Sequence, residues 1–146
     1  MRISVQQHDF SIDEEVKKLV DGRGDIGAVV SFSGLVRGDN GIKSMTLEHY
    51  SGMTEKQLHN IATDAMARFK LDDCLIIHRY GTLNVGDNIV LVVTLSKSRK
   101  AAFEGAEFLM DWLKTKAPFW KNETGADGSQ WVEAKAEDDQ AQKKWQ

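Results

Sequence analysis

The chain has 146 residues, of which 41% are hydrophobic and 28% charged, and its formal net charge is -3. This length suits one domain, residues 1–146, and the acidic balance argues against a nucleic-acid-binding surface as the main function. The single cysteine, Cys74, excludes an internal disulfide and a CxxC site, and its apolar neighbours predict a buried thiol. Nothing at the N-terminus resembles a signal peptide, and the longest aliphatic run, residues 89–93, is too short to span a membrane. We therefore expect a cytoplasmic protein.

The first half of the chain predicts three strands and two helices. A capping-box spacing from Ser11 to Glu14 begins the first helix. A glycine-rich loop over 37–41 separates the second and third strands, which we expect to pair as a hairpin. Apolar residues at helical spacing predict the second helix. The expected strands cover 2–5, 27–36 and 44–50, and the expected helices cover 12–20 and 53–69.

The second half predicts strands, one long helix and a polar end. The long helix should stop before Pro118, which disfavours helical backbone at the preceding residue. Its apolar stripe includes Phe103, Met110 and Leu113. Strand pairs separated by helices predict an α+β fold with a mainly antiparallel sheet and about three helices. The expected bounds are 74–79 and 88–95 for strands, 99–116 for the helix, 130–135 for a late strand, and 138–146 for a helical or frayed end.

Lys114 is the strongest candidate for chemistry. It shares one face of the long helix with Phe103, Glu107 and Met110, which predicts partial burial. Partial burial favours the neutral amine, which can act as a general base or a nucleophile. The alternative is a lysine favoured by the helix dipole, with its stem on apolar neighbours and its ammonium group in water.

Two further lysines flank Pro118. Lys121 would return towards Lys114 if the chain folds back after the proline; otherwise it is a solvated loop lysine. Lys116 lies two residues from Lys114, projects in a different direction and is expected at the surface.

Basic residues also mark two candidate anion-binding positions. Backbone N–H groups at the start of the long helix, beside Lys97, Arg99 and Lys100, can bind a phosphate group. Arg37 ends a strand at a glycine-rich turn, and binding residues are common on such loops. The alternatives are a capped helix start with solvated charges and a surface loop arginine.

The four histidines, His8, His49, His59 and His78, do not predict a metal site. No two of them have metal-ligand spacing. His49 lies in a predicted strand, along which side chains alternate between the two faces, and this position favours a structural role. No Ser/His/Asp signature and no glycine-rich phosphate loop is present. We expect neither a metal nor a bound cofactor.

Short blocks of sequence, taken in order, resemble the catalytic (large) subunit of molybdopterin synthase over nearly the whole chain. The blocks are GAVVSFSG (27–34) with VR (36–37), TLEHY (46–50), GMTE (52–55), IHR (77–79) with Gly81, FLMDWLKT (108–115), APFWK (117–121) and WVEA (131–134). Each block is short, but their order and spacing together are specific. The resemblance implies an α/β-hammerhead-type fold, which agrees with the α+β prediction.

The resemblance implies a sulfurtransferase of molybdenum cofactor biosynthesis. The family converts cyclic pyranopterin monophosphate, called precursor Z, into the dithiolene molybdopterin. The sulfur comes from a C-terminal Gly-Gly thiocarboxylate on a small ubiquitin-like partner subunit, whose tail inserts into the active site. Two large subunits form a central homodimer within a heterotetramer. Because the partner delivers the sulfur, the enzyme needs no catalytic cysteine.

The resemblance also implies the site residues. The essential lysine of the family falls on Lys114, its second functional lysine on Lys121, and its substrate-binding arginine on Arg37. Its His-Arg pair falls on Ser98 and Arg99, so this chain has serine where familiar members have histidine. The expected catalytic residues are Lys114 and Lys121, and the expected substrate contacts are Arg37, Ser98, Arg99, Lys114, Lys121, Asn122 and Glu123.

Two other functions stay open at this point. One is a non-catalytic module that binds a ubiquitin-like Gly-Gly tail or a pterin phosphate. The other is a sensor of pterin or nucleotide phosphates that needs no protein partner. Ser98 favours the binding module weakly, whereas the retained lysines and arginines argue against it.

Overall fold

A computed structural model describes residues 1–125, 128–132 and 136–145. The described chain alternates strands and helices, with a short 3-10 turn at Asp39–Gly41. In order, the elements are β1 (Arg2–Gln6), α1 (Ile12–Val20), β2 (Ala28–Leu35), β3 (Ile42–His49), α2 (Met53–Phe69), β4 (Asp73–Arg79), β5 (Gly81–Asn84), β6 (Asn88–Ser96), α3 (Arg99–Thr115), β7 (Phe119–Gly125), β8 (Gly128–Val132) and α4 (Ala136–Lys143).

The strands form two four-stranded sheets. The main sheet has the order β1-β4-β6-β2, and the second sheet has the order β5-β3-β7-β8. The pair β1–β4 is parallel and the other pairs are antiparallel. The predicted α+β fold with mainly antiparallel strands is therefore confirmed.

The predicted hairpin between β2 and β3 is wrong. β2 pairs with β6 in the main sheet, whereas β3 pairs with β5 and β7 in the second sheet. The loop between β2 and β3 includes the 3-10 turn and carries the chain from one sheet to the other. A glycine-rich loop is common to hairpins and to such crossings, so local turn residues alone did not distinguish them.

Helices cover both faces of the main sheet. Ile76 of β4 and Val92 of β6 pack with α2 and α3, while Leu75 and Leu91 face the cluster that includes α1. Both faces of these central strands are buried, which explains the unbroken apolar run over 89–93. Cys74 lies on the α2–α3 side, and burial raises the pKa of its thiol to about 11. The predicted buried thiol is confirmed.

The region after α3 differs most from the prediction. α3 ends at Thr115, and β7 forms where the sequence predicted no strand. The late strand is β8, which begins at Gly128 and ends at Val132, and residues 133–135 of the prediction lie outside the described residues. The polar end forms α4 over Ala136–Lys143, which adds a fourth helix; of the predicted end, residue 146 also lies outside the description.

Across the described residues, no helix is long and apolar enough to cross a membrane. The cytoplasmic location stays a prediction.

We expect Val93→Ala to lower the free energy of unfolding by about 2 kcal/mol, because it removes fully buried carbons and leaves a cavity beside α1. Val85→Ala is the matched control: Val85 is 45% exposed in the turn before β6, so the same change should cost less than about 0.5 kcal/mol. Chemical denaturation of both variants measures the difference. Equal losses would contradict this division between core and surface.

Candidate active site

The two ends of α3 carry different groups of predicted site residues. α3 follows β6 after two residues and packs back across β6 and β2, with the Thr94 hydroxyl donating to the Ala102 carbonyl at 2.7 Å. Lys114 therefore lies at the end of the main sheet where β6 begins. Ser98 and Arg99 lie at the opposite end, and a rise of 1.5 Å per residue puts Arg99 roughly 22 Å from Lys114 along the helix.

Arg37 lies at the same end of the main sheet as Lys114. It follows β2, and the N–H group of Val36 donates to the carbonyl of Asp87, just before β6, at 2.9 Å. The Arg37 side chain is exposed and forms an ion pair with Asp39 at 2.8 Å. A phosphate ligand at Arg37 would have to compete with this carboxylate.

Lys114 is exposed, so the predicted partial burial is wrong. Of the predicted apolar stripe, Met110 and Leu113 pack against the core as expected, whereas Phe103 is 62% exposed. The buried face of α3 is formed instead by Ala102, Ala106 and Leu109. The two alanine side chains are small and let the helix approach the sheet closely. Helical spacing alone did not separate this narrow face from the neighbouring one.

A tight turn at the proline returns the chain beside β3. The N–H group of Phe119 donates to the carbonyl of Ala117 at 2.8 Å, and β7 then pairs with β3. Lys121 lies opposite Leu47 in this pairing and is half-buried. The Pro118 break thus produces a strand that holds Lys121.

Alternation along β7 separates the residues that follow Lys121. Glu123 shares the face of Lys121, because side chains two apart in a strand point the same way. Asn122 lies on the opposite face, paired with Thr46. Within one chain, Glu123 can share a small ligand with Lys121, whereas Asn122 faces away from it.

His78 is a buried titratable group whose pKa responds to both lysines, and nothing in the sequence indicated a role for it. Its ring stacks on Phe119 at 3.7 Å with an interplanar angle of 16°. The pKa of His78 is lowered to about 4, chiefly by burial and in smaller part by the charges of Lys121, Lys114 and His49, while a hydrogen bond to the Arg79 carbonyl opposes the shift. The ring is therefore neutral near pH 7, and both lysines lie within electrostatic reach of it.

The hydrogen bonds of both histidines near the lysines define their tautomers. His78 Nδ1 lies 2.9 Å from the Arg79 carbonyl oxygen, which can only accept, so Nδ1 carries the proton and Nε2 is an acceptor. His49 Nδ1 lies 3.0 Å from the Thr54 hydroxyl, which itself donates to the Tyr50 carbonyl at 2.7 Å. His49 Nδ1 is therefore also the donor, which agrees with its predicted structural role.

A pocket of about 390 Å³ opens beside His49. The Tyr50 and Trp120 rings pack at 4.6 Å on one side, and Tyr80 packs edge-on against His49 at 4.6 Å. The pocket is lined by residues 46–50, Tyr80, Gly81 and Trp120. Sequence analysis missed this pocket because its walls come from three separated segments.

The start of α3 carries the other predicted site residues, Ser98 and Arg99. The Ser98 hydroxyl accepts the N–H group of Ala101 at 3.4 Å, so Ser98 caps the helix. Lys97 pairs with Asp72 at 2.8 Å, and hydrogen bonding to that carboxylate raises the pKa of Lys97. Among the described residues Arg99 forms no ion pair, so Arg99 rather than Lys97 is placed to meet an anion at this helix end.

The chain matches proteins of one family. The family model described as MoaE protein matches residues 5–116. The molybdopterin synthase catalytic subunit of Mesorhizobium japonicum is 51% identical over 98% of this chain and 92% of its own length. That of Escherichia coli is 47% identical over 99% and 97%, respectively. The solved MoaE protein of Burkholderia ambifaria has a TM-score of 0.85 and 46% identity, covering 99% of this chain and 97% of that chain.

The buried His78 predicts a pH-dependent stability. Between pH 6.5 and about 4, the unfolded chain binds a proton at His78 and the folded chain does not, so the free energy of unfolding falls as the pH falls through this window. At about 1.4 kcal/mol per pH unit, the loss approaches about 3 kcal/mol. His78→Asn should remove this part of the slope in denaturation measured from pH 7 to pH 4. His59→Asn, at an exposed position of α2, should keep it; the same slope in both variants would contradict the assignment.

Proposed function

We propose that this chain, which belongs to the MoaE protein family, is the catalytic subunit of a molybdopterin synthase. It would convert precursor Z into molybdopterin with sulfur from the C-terminal Gly-Gly thiocarboxylate of a small ubiquitin-like partner subunit. The near full-length identity to catalytic subunits carries this proposal. The two lysines around one buried imidazole support it, because they supply the chemistry that sulfur transfer needs.

The positions of the lysines suggest distinct contributions. Attack by a thiocarboxylate sulfur on the substrate is helped by cations beside developing negative charge and by a group that can transfer a proton. Lys114, exposed at the end of α3, can reach a bound substrate and assist this attack. Lys121, half-buried in β7 on the same face as Glu123, can orient the substrate or the partner tail.

The inert cysteine agrees with sulfur delivered from outside. A thiol acts as a nucleophile through its thiolate, and burial raises the pKa of Cys74 to about 11. Cys74 is also fully buried under α2 and α3. This chain would therefore depend on its partner for the transferred sulfur.

The separation of the cations supports a site shared between two copies of the chain. Arg37 and Lys114 lie at one end of the main sheet and Ser98 and Arg99 at the other, too far apart for one small substrate. The outer edge of β2 has no partner strand among the described residues. If two copies pair antiparallel along this edge, twofold symmetry brings the Arg37 end of one copy beside the Arg99 end of the other.

The composition of β2 suits this homodimer. The strand AVVSFSGL has no charged residue or proline, the usual protection of an edge strand. Val29 and Phe32 are each 41% exposed, and Phe103 is an exposed residue of α3, the helix that packs on β2. Two copies joined here, each binding one small subunit, would form the heterotetramer.

Reconstitution with the thiocarboxylated small subunit and precursor Z tests the activity. We expect wild-type protein to form molybdopterin and Lys114→Ala to lose at least about a hundredfold in rate, because a cation and proton-transfer group is removed. Lys116→Ala, exposed two residues later, is the matched control and should stay within about twofold. Small-subunit binding without any product from the wild type would instead favour the non-catalytic binding module.

Mixing inactive variants tests the shared site. Arg99→Ala and Lys114→Ala protomers, allowed to exchange, should recover about a quarter of wild-type activity, because half of the dimers are mixed and each has one intact site of two. Lys114→Ala mixed with Lys121→Ala should recover none, since both lysines belong to one copy. No recovery in the first mixture, with exchange confirmed by mass spectrometry, would place the whole site in a single chain.

A further inference from the structure

Aromatic and polar contacts anchor the last described residue, Trp145, to the helices. Its ring packs edge-on against Phe69 and Phe108, each at 5.5 Å. Arg68 donates to the Trp145 carbonyl at 2.8 Å, and its guanidinium lies over the same three rings. Trp145 is thus held by specific contacts on α2 and α3.

The indole of Trp145 also binds a carboxylate next to Lys114. Trp145 Nε1 donates to Asp111 Oδ2 at 2.6 Å. Asp111 precedes Lys114 by three residues on α3, a spacing at which acidic and basic side chains form ion pairs on a helix surface. Within the described part of the chain, Lys114 has no ion pair, and Asp111 is directed to Trp145 instead.

The other charges near Lys114 do not replace Asp111. Glu107, two turns earlier on α3, pairs with Lys144. His78 of β4 is neutral near pH 7, and Lys121 of β7 has the same sign as Lys114. Lys144 adds positive charge beside Asp111 from the C-terminal segment. Asp111 is therefore the carboxylate whose orientation decides whether Lys114 is paired.

We propose that Trp145 is a positioning residue for Lys114: its indole N–H holds the Asp111 carboxylate towards the C-terminal segment and leaves the Lys114 ammonium group unpaired for the substrate. The proposal rests on the catalytic role of Lys114. Without the indole N–H, the Asp111 carboxylate is released to pair with Lys114. That pairing draws the ammonium group back along α3 and away from the substrate.

Trp145→Phe is the direct test, because it removes the N–H donor together with one ring of the indole and keeps an aromatic ring in the cluster. We expect molybdopterin formation to fall by roughly tenfold, between the small effect of an exposed ion pair and the hundredfold cost of a misplaced catalytic group. The double variant Trp145→Phe with Asp111→Asn should recover the rate of Asp111→Asn alone, because the amide cannot form the ion pair. Arg68→Ala controls for a loosened anchor: it keeps the indole N–H, so it should lower the melting temperature and reduce the rate less than Trp145→Phe does.

A second readout does not need the sulfur-transfer reaction. An amine-specific acylating reagent, followed by peptide mass spectrometry, measures the reactivity of Lys114 in the folded protein. Trp145→Phe should slow labelling of Lys114 by about threefold or more, labelling of Lys116 should not change, and Asp111→Asn should restore the rate. Unchanged labelling, or a loss that Asp111→Asn does not restore, would overturn the positioning role. Absence of molybdopterin from the wild type would overturn the proposed function and leave this labelling test valid.

Discussion

The close packing of α3 on the main sheet determines where the candidate site residues lie. Gly105 faces Leu71, in the loop that leads into β4, so closely that an added Cβ would lie 2.8 Å from the leucine side chain, and alanines occupy the neighbouring contact positions at 102 and 106. A helix held this near the sheet has little freedom to shift, because interiors are close-packed. Its two ends are therefore fixed over opposite ends of the sheet, with Lys114 at one and Arg99 at the other.

A second constraint joins the two sheets. The stack of His78 on Phe119 ties β4 of the main sheet to β7 of the second sheet. Because β7 also carries Lys121, this contact sets the position of that lysine relative to α3. Burying a neutral imidazole here costs less than burying a charged one, and two nearby lysines make protonation still less favourable. The same residue thus supports the architecture and adds no positive charge of its own beside the lysines near pH 7.

Local patterns predicted the helices well and the strand partners poorly. The apolar spacing of residues 53–69 predicted a helix, and α2 has these bounds. Helical periodicity depends only on residues close together in the sequence, so it can be recognised without knowing the fold. The partners of β2 and β3 depend on contacts between distant parts of the chain, which a loop motif does not encode. β7 was missed because its polar sequence after Pro118 has neither alternation nor a run of β-branched residues.

The sequence predicted only those parts of the candidate site that short sequence motifs define. The resemblance located the lysines and arginines in sequence, but the burial of Lys114 was inferred from one helical face and the structure contradicts it. His78 lay within a strand predicted from apolar residues, so nothing local distinguished it from a structural histidine. Its relation to Lys114 and Lys121 depends on three elements that meet only in the folded chain.

Ser98 changes the chemistry at the other end of α3. Its hydroxyl accepts the Ala101 N–H group, as a favoured N-cap residue does, and Lys97 is paired with Asp72. The groups left for an anion are the remaining backbone N–H groups of the first turn and the side chains of Arg99 and Lys100, which form no ion pair within the described residues. An arginine stays charged throughout the physiological range, whereas a histidine titrates within it. Where the resemblance implies a histidine, serine would therefore leave a helix end whose positive charge does not titrate near neutral pH.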